Sequence, residues 1–324
     1  MILFSCNRNT AGGVDICHYD KKTGMWQTIT VNKNKVQKHL DHGDPVGGGC
    51  EEYTFVEDAI FEEFLFDLGY DENIDNLILT SNIDSITHLN IEGRPDQKIK
   101  NLVGIGAFKN LQVLNCRGND LVALDLSKNT NLRELYCYDN KITKLDLSNN
   151  INLEILFCGS NKLSDLTVSK NANLKELNCY NNELQGLDIS NNVNLERLWV
   201  QVNQLTNLDL SKNIKLTTLH CNHNVLLENL DLKNNSNLEV LYCHHTGLTT
   251  LDVSNNQKLK TLHCNDNKLN NLNLKNGKNI LLKSAEFKIN NNPYLKCVEV
   301  DHKGWSDLHW TYKNTITRFS TDCY

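Results

Sequence analysis

From Asn110 onward the chain repeats itself every 21 residues. Eight consecutive units begin at Asn110, Asn131, Asn152, Asn173, Asn194, Lys215, Asn237 and Lys258, and only the sixth departs in length, by one extra residue near Leu226-Leu227. Self-similarity at this period demands a stacked architecture, because one unit cannot bury its apolar face alone and must share a core with its neighbours. In the first unit Leu111, Leu114, Cys116 and Leu121 are apolar, followed by Leu124 and Leu126. Each unit thus holds two short segments of inward and outward alternation, which predicts two strand-like edges per coil.

Two asparagine columns close these segments, one running from Asn119 through Asn140, Asn161, Asn182, Asn203 and Asn224 to Asn267, the other from Asn129 through Asn150, Asn171, Asn192, Asn213 and Asn235 to Asn256. An inward amide can satisfy the backbone groups of a buried bend, where an unpaired donor or acceptor is costly. Seven of the 12 cysteines (Cys116, Cys137, Cys158, Cys179, Cys221, Cys243 and Cys264) form one more inward column. There a free thiol behaves as a small hydrophobe. The pattern LxxLxCxxNxLxxLDLSxN resembles the nested, short type of bacterial leucine-rich repeat found in surface and secreted proteins of the Bacteroidetes. The resemblance implies an α/β repeat fold, a parallel right-handed β-solenoid with a helical cap at its N-terminal end and a second cap at its C-terminal end. Thr246 in place of Asn and Val200 in place of Cys are departures that such a fold should tolerate.

The eight units span 110–277. Before them, in 53–109, VEDAIFEEFLFDLGYD places Ile60, Phe61, Phe64, Leu65 and Leu68 on one helical face with Gly69 at the C-terminal stop, the expected N-terminal cap. Degenerate repeats follow it. After them, 278–324 resembles the terminal module that follows such repeats in secreted relatives, and this resemblance implies a Cys297–Cys323 bridge and hence an oxidising compartment. Residues 13–50 form a small module that reads as strand, turn at Thr23-Gly24, strand and short helix, with Gly47-Gly48-Gly49 as linker. Cys17, His39, His42 and Cys50 offer a ligand set suited to structural zinc; a Cys17–Cys50 bridge is the competing reading, and neither is the third. The module's string also resembles a CH…HLxHGDxxGxC element found beside secreted bacterial modules, to which no activity attaches. In residues 1–12, Leu3-Phe4-Ser5 before Cys6 resembles the tail of a lipoprotein signal, although Phe4 departs from the usual small residue. That resemblance implies lipidation of Cys6 and a lipid anchor; the alternative is an ordinary N-terminus.

A net charge of -6, with no clustered Lys/Arg surface, argues against nucleic acid as a partner. No segment approaches the roughly 20 apolar residues of a membrane-spanning helix. Function therefore falls to the outward columns. Tyr136, Tyr138, Phe157, Tyr180, Trp199, His220, Tyr242 and His244 are expected on one sheet face, where rigid rings suit recognition, although aromatic pairs also stabilise sheets by themselves. Asp125, Asp146, Asp188, Asp209, Asp231 and Asp252 stack as an acidic column, to be offset by Ser127-type neighbours or by calcium. His223, His245 and Asp266 share the column two residues after Cys and could meet at one metal ion.

The sequence contains no phosphate-cradling glycine loop, nucleophile elbow or HExxH motif. The favoured reading is a non-enzymatic recognition or adhesion protein, extracellular or on the outer surface of a bacterium, with a protein or glycan on its aromatic face and no cofactor demanded. The rivals are a metal-dependent hydrolase, using the Cys17 to Cys50 module or His223, His245 and Asp266, and a ligand-free spacer.

Overall fold

The computed structural model describes residues 13–20, 25–41, 44 and 52–323. Among these, ten three- or two-residue strands stack in parallel: His88–Asn90, Val113–Asn115, Glu134–Tyr136, Ile155–Phe157, Glu176–Asn178, Arg197–Trp199, Thr218–His220, Val240–Tyr242, Thr261–His263 and Phe287–Lys288. Pairing is in strict register, Leu114 on Leu135, Leu135 on Leu156 and so on to Leu241 on Leu262. The repeat thus forms a parallel β-solenoid. It runs one coil beyond the strict units at each end, because Leu89 and Phe287 continue the same inward column. All seven ladder cysteines are buried with free thiols, and burial pushes those of Cys137 and Cys179 up to about 12. At neutral pH they are not nucleophiles.

The asparagines hold the bends. Asn140 Nδ2 donates to Cys116 O of the previous coil (3.0 Å) and to Cys137 O of its own (3.1 Å), while its Oδ1 accepts from Leu121 N (3.0 Å). One side chain therefore closes two coils. In the second column, Asn150 Nδ2 donates to Leu126 O (3.1 Å) and Asn129 O (2.9 Å), but its buried Oδ1 meets no partner among the described residues. Where the sixth coil carries its extra residue, Leu227 N turns back to Asn224 O (3.0 Å) instead of reaching the next coil. The facing position is Thr246, whose hydroxyl needs no such donor and bonds Cys243 O (3.0 Å) and Asn267 Oδ1 (2.6 Å). The insertion and the Asn-to-Thr departure are one local event.

The second edge differs from expectation. Only its C-terminal end pairs as a sheet, through Thr250–Asp252, Asn271–Asn273, Cys297–Glu299 and Arg318–Ser320. In earlier coils the backbone bonds on this side have lengthened, to 3.4 Å at Thr143 N to Val122 O and 3.3 Å at Thr206 N to Gln185 O, against 2.9 Å at Asn270 N to Thr249 O. The coils therefore stand closer on this side at the C-terminal end than in the earlier units.

The helix Ala59–Asp67 lies against the N-terminal end of the core through Phe61, Phe64 and Leu65. Asp58 caps it by accepting from Ile60 N and Phe61 N, and its other oxygen accepts from Lys100 N (2.7 Å) and Asn101 N (3.2 Å), tying helix to coil. Leu68, assigned to the apolar face, is 44% exposed, because it follows the last helical turn and the chain swings away at Gly69 with φ +76°. At the other end Trp310 is buried against Phe287 and Phe319, with Nε1 donating to Leu282 O (2.9 Å). A Cys297–Cys323 disulfide is formed there. The N-terminal module contains an antiparallel pair, Gly13–Asp20 with Met25–Asn32, and the helix Val36–Leu40. Its Thr23-Gly24 turn, its Gly47-Gly48-Gly49 linker and Cys6, His42 and Cys50 lie outside the described residues.

Each bend after the Cys column is left-handed: Gly118, Asp139, Ser160, Asn181, Val202, His223, His245, Asp266 and Asn291 all have positive φ. Val202, 43% exposed at φ 57°, is the outlier, since a β-branched residue resists this region. Val202→Asn should raise stability by about 1 kcal/mol, seen as a higher midpoint in denaturant unfolding; an unchanged midpoint would refute strain at this turn. The ladder thiols should resist a water-soluble thiol reagent in the native protein and react once it is unfolded in denaturant.

Candidate functional site

The outward residue of each strand places its side chain on the solvent face of the long sheet, and there the rings meet. Tyr136 packs edge-on against Phe157 (centroids 5.3 Å), Phe157 against Trp199 (5.8 Å) and Trp199 against His220 (6.2 Å), while His220 tilts against Tyr242 (4.4 Å) and Tyr242 stacks on His263 (4.5 Å). The chain of rings is continuous although Asn178 stands between Phe157 and Trp199. Its side chain folds back to accept from Tyr180 N (3.2 Å), so the two larger rings close over it. His263 belongs to this ladder and was missing from the expected set; its place in the column was the available signal.

The next column lies alongside. Tyr138 stacks with the guanidinium of Arg117 (5.4 Å) and accepts a hydrogen bond from it, while Glu92 pairs with the same arginine. Tyr180 lies across Gly159, where a Cβ would stand 2.1 Å from the ring. Glycine here lets the tyrosine lie flat. His244 contacts Tyr242 (6.2 Å) and His263 (6.3 Å). At the N-terminal end of the ladder a cleft of about 450 Å³ opens between His88, Asn115, Arg117, Tyr136, Tyr138 and Phe157. Along its other flank runs a salt-bridged strip in which Glu154 pairs with Arg133 and with Lys175 (2.6 Å), and Glu176 with Arg197 (2.5 Å). Aromatic centre and charged border share one rigid sheet.

The ladder is half-buried by its own members, and this sets its protonation. Burial holds His220 and His244 down to about 4, the latter aided by nearby histidines, and lowers His263 as well. Burial, then the Glu134 carboxylate accepting from its hydroxyl (2.8 Å), raises Tyr136 to about 12. At neutral pH the face is uncharged along its rings.

The other expected ligand sets land as follows. His223 and His245 converge, with ring centroids 4.6 Å apart, and Asp266 stands 3.7 Å from His245 Nδ1; His244, absent from that expected set, also brings a ring nitrogen within 4.8 Å of theirs. In the N-terminal module Cys17 is disulfide-bonded and so cannot serve as the expected thiolate ligand. His39 instead shares the Asp44 carboxylate with His18, at 2.7 and 2.8 Å. His18 and Asp44 both stand in the CH…HLxHGDxxGxC string but were not among the expected ligands; the approach of the hairpin to the helix is what brings His18 beside His39. The acidic column is compensated locally: each Asp accepts from the backbone N–H two residues on, as Asp125 does from Ser127 N (3.0 Å) and Asp209 from Ser211 N (2.9 Å), which lowers both carboxyls.

A family model of two leucine-rich repeats matches residues 130–171. Among solved structures, an internalin (InlF) from Listeria monocytogenes is 21% identical, with 82% of this chain and 91% of that chain covered and a TM-score of 0.59. The functional domain of InlJ from the same organism, which includes a cysteine ladder, is 24% identical over 76% of this chain and 75% of that one, with a TM-score of 0.36. A leucine-rich-repeat protein of Leptospira interrogans is 19% identical over 74% and 81%, with a TM-score of 0.44. No curated protein sequence matches the chain. The chain thus carries leucine-rich repeats, and InlF shares its solenoid fold. No helix among the described residues is long and apolar enough to cross a membrane.

Histidines held below their ordinary 6.5 bind fewer protons folded than unfolded, so stability is full above 6.5 and is lost as pH falls from there towards about 4. The variant His220→Phe with His244→Asn, using residues native to each column, should flatten the unfolding midpoint across that window. An equally steep pH dependence in the variant would show that these two groups do not carry it.

Proposed function

We propose that this chain is a non-enzymatic binding protein that holds a protein ligand on the ring-bearing face of its long sheet. The observation that carries the reading is the continuous ladder from Tyr136 to His263, uncharged, half-exposed and held ring against ring. Rings already held by their neighbours lose little freedom on binding and bury large area, which is why aromatic anchors dominate recognition surfaces. The flanking strip of Arg133, Glu154, Lys175, Glu176 and Arg197 supplies the polar border that fixes register against a partner. An oxidising, extracellular or cell-surface setting is supported by the Cys297–Cys323 bridge and the disulfide at Cys17. Free thiols persist in such a setting when, as here, they are shut in the core.

Probing arrays of extracellular proteins and of glycans with the intact chain and with a Tyr136→Ser, Trp199→Ser, Tyr242→Ser variant tests this. The wild type should select a protein, and the triple variant should lose it by a factor of at least about 100, a loss of about 2.7 kcal/mol, without loss of fold. Retained binding in the variant removes this face as the site, and selection of glycans alone removes the protein reading.

A further inference from the structure

The sixth and seventh coils carry a cluster that the ring ladder does not use. His223 and His245 occupy the left-handed bends of successive coils, and His244 projects from the column beside them. One ligand nitrogen from each lies within 4.8 Å of the others. The carboxylate of Asp266, one coil further on, stands 3.7 Å from His245 Nδ1 and is itself held by Asn291 Nδ2 (2.6 Å) and by Asn265. We propose that His223, His244 and His245 form a binding site for a divalent transition metal of the zinc class, with Asp266 orienting His245 or completing the coordination.

Three features support the site. First, the donors sit on a fixed backbone: His223 N bonds His244 O (3.1 Å) and His245 N bonds Asn265 O (3.3 Å), so the bends cannot drift apart. Zinc bound to imidazole at about 2.0–2.1 Å requires ligand nitrogens about 3.3 Å apart in a tetrahedron, so binding draws these three together from their present spacing of up to 4.8 Å. Second, three imidazoles are presented together from one edge of the sheet, and imidazole is the side chain that most commonly ligates such ions. Third, His244 Nδ1 is shut off from solvent and has no hydrogen-bond partner among the described residues. A buried ring nitrogen in this state is costly unless something engages it. A set dominated by imidazole favours zinc, nickel or copper over calcium and magnesium. The extra residue of the sixth coil lies next to this cluster, with Val225 O only 3.0 Å from where a Cβ on Gly247 would stand. Among the eight strict units, the one change of length therefore falls just after the bend that carries His223.

Cobalt(II) is the probe, because a four- or five-coordinate ion absorbs visibly and a hydrated one hardly does. Untagged full-length protein should take up cobalt with that absorption and release it to zinc, and zinc should raise its thermal midpoint. His223→Asn and His245→Asn, placed where Asn181 and Asn291 already adopt the same backbone, should together abolish the absorption and the zinc-dependent shift while leaving the metal-free midpoint in place. Asp266→Asn should weaken cobalt binding about 10–100-fold. Imidazole nitrogen NMR of the wild type gives a reading independent of any variant: zinc should shift the resonances of these three histidines. Absence of the visible spectrum, or the same spectrum and stoichiometry in the double variant, would overturn the site, the second outcome placing the metal elsewhere, as at His18, His39 and Asp44. Zinc shifts confined to His18 and His39 would overturn it equally.

Discussion

Everything in this molecule depends on satisfying the polar backbone of a bend that is buried on one side and stacked on both others. A solenoid coil has no helix or hairpin to absorb its turn carbonyls, and water does not reach them. The asparagine columns resolve this by donating one amide to two coils at once, as Asn140 does to Cys116 O and Cys137 O. Register follows from that bond as much as from the leucines. A slip of one residue would leave every amide facing the wrong carbonyl and turn every leucine outward.

Once the inward positions are committed, variation is confined to the outward ones, and it is concentrated. The charged strip, the ring ladder and the left-handed bends are adjacent columns of the same sheet edge, so each substitution is presented at one coil spacing from its equivalents. Rings that would be isolated on a globular surface here become a continuous chain. The self-burial that holds His220 and His244 near pKa 4 is a consequence of that repetition rather than of any separate pocket. Where the repeat length changes, at Leu226-Leu227, the compensations at Thr246 and Gly247 appear in the facing coil, beside the histidine cluster.

Much of the fold and part of the site were legible from residue order. The inward Leu, Cys and Asn columns, the sheet face bearing Tyr136 to Tyr242 and the approach of His223 to His245 all follow from a period of 21, because stacked coils convert sequence spacing into spatial adjacency. The second edge was misjudged. Its alternation is as regular as that of the first, but whether an edge pairs depends on the distance between coils on that side, which alternation does not encode. Leu68 was misassigned because helical periodicity was carried one residue past the helix.

Sequence alone determined the stacking and the identity of each column, since a tandem repeat leaves one way to superpose its apolar positions. Tertiary structure decided the contacts between columns: Phe157 closing on Trp199 over Asn178, Tyr180 lying on Gly159, His244 joining His223 and His245, and His18 meeting His39 at Asp44. The period specifies which residues are one coil apart. It does not specify which way a side chain turns once its neighbours have taken the space, and that depends on the volume and hydrogen bonding of every group around it.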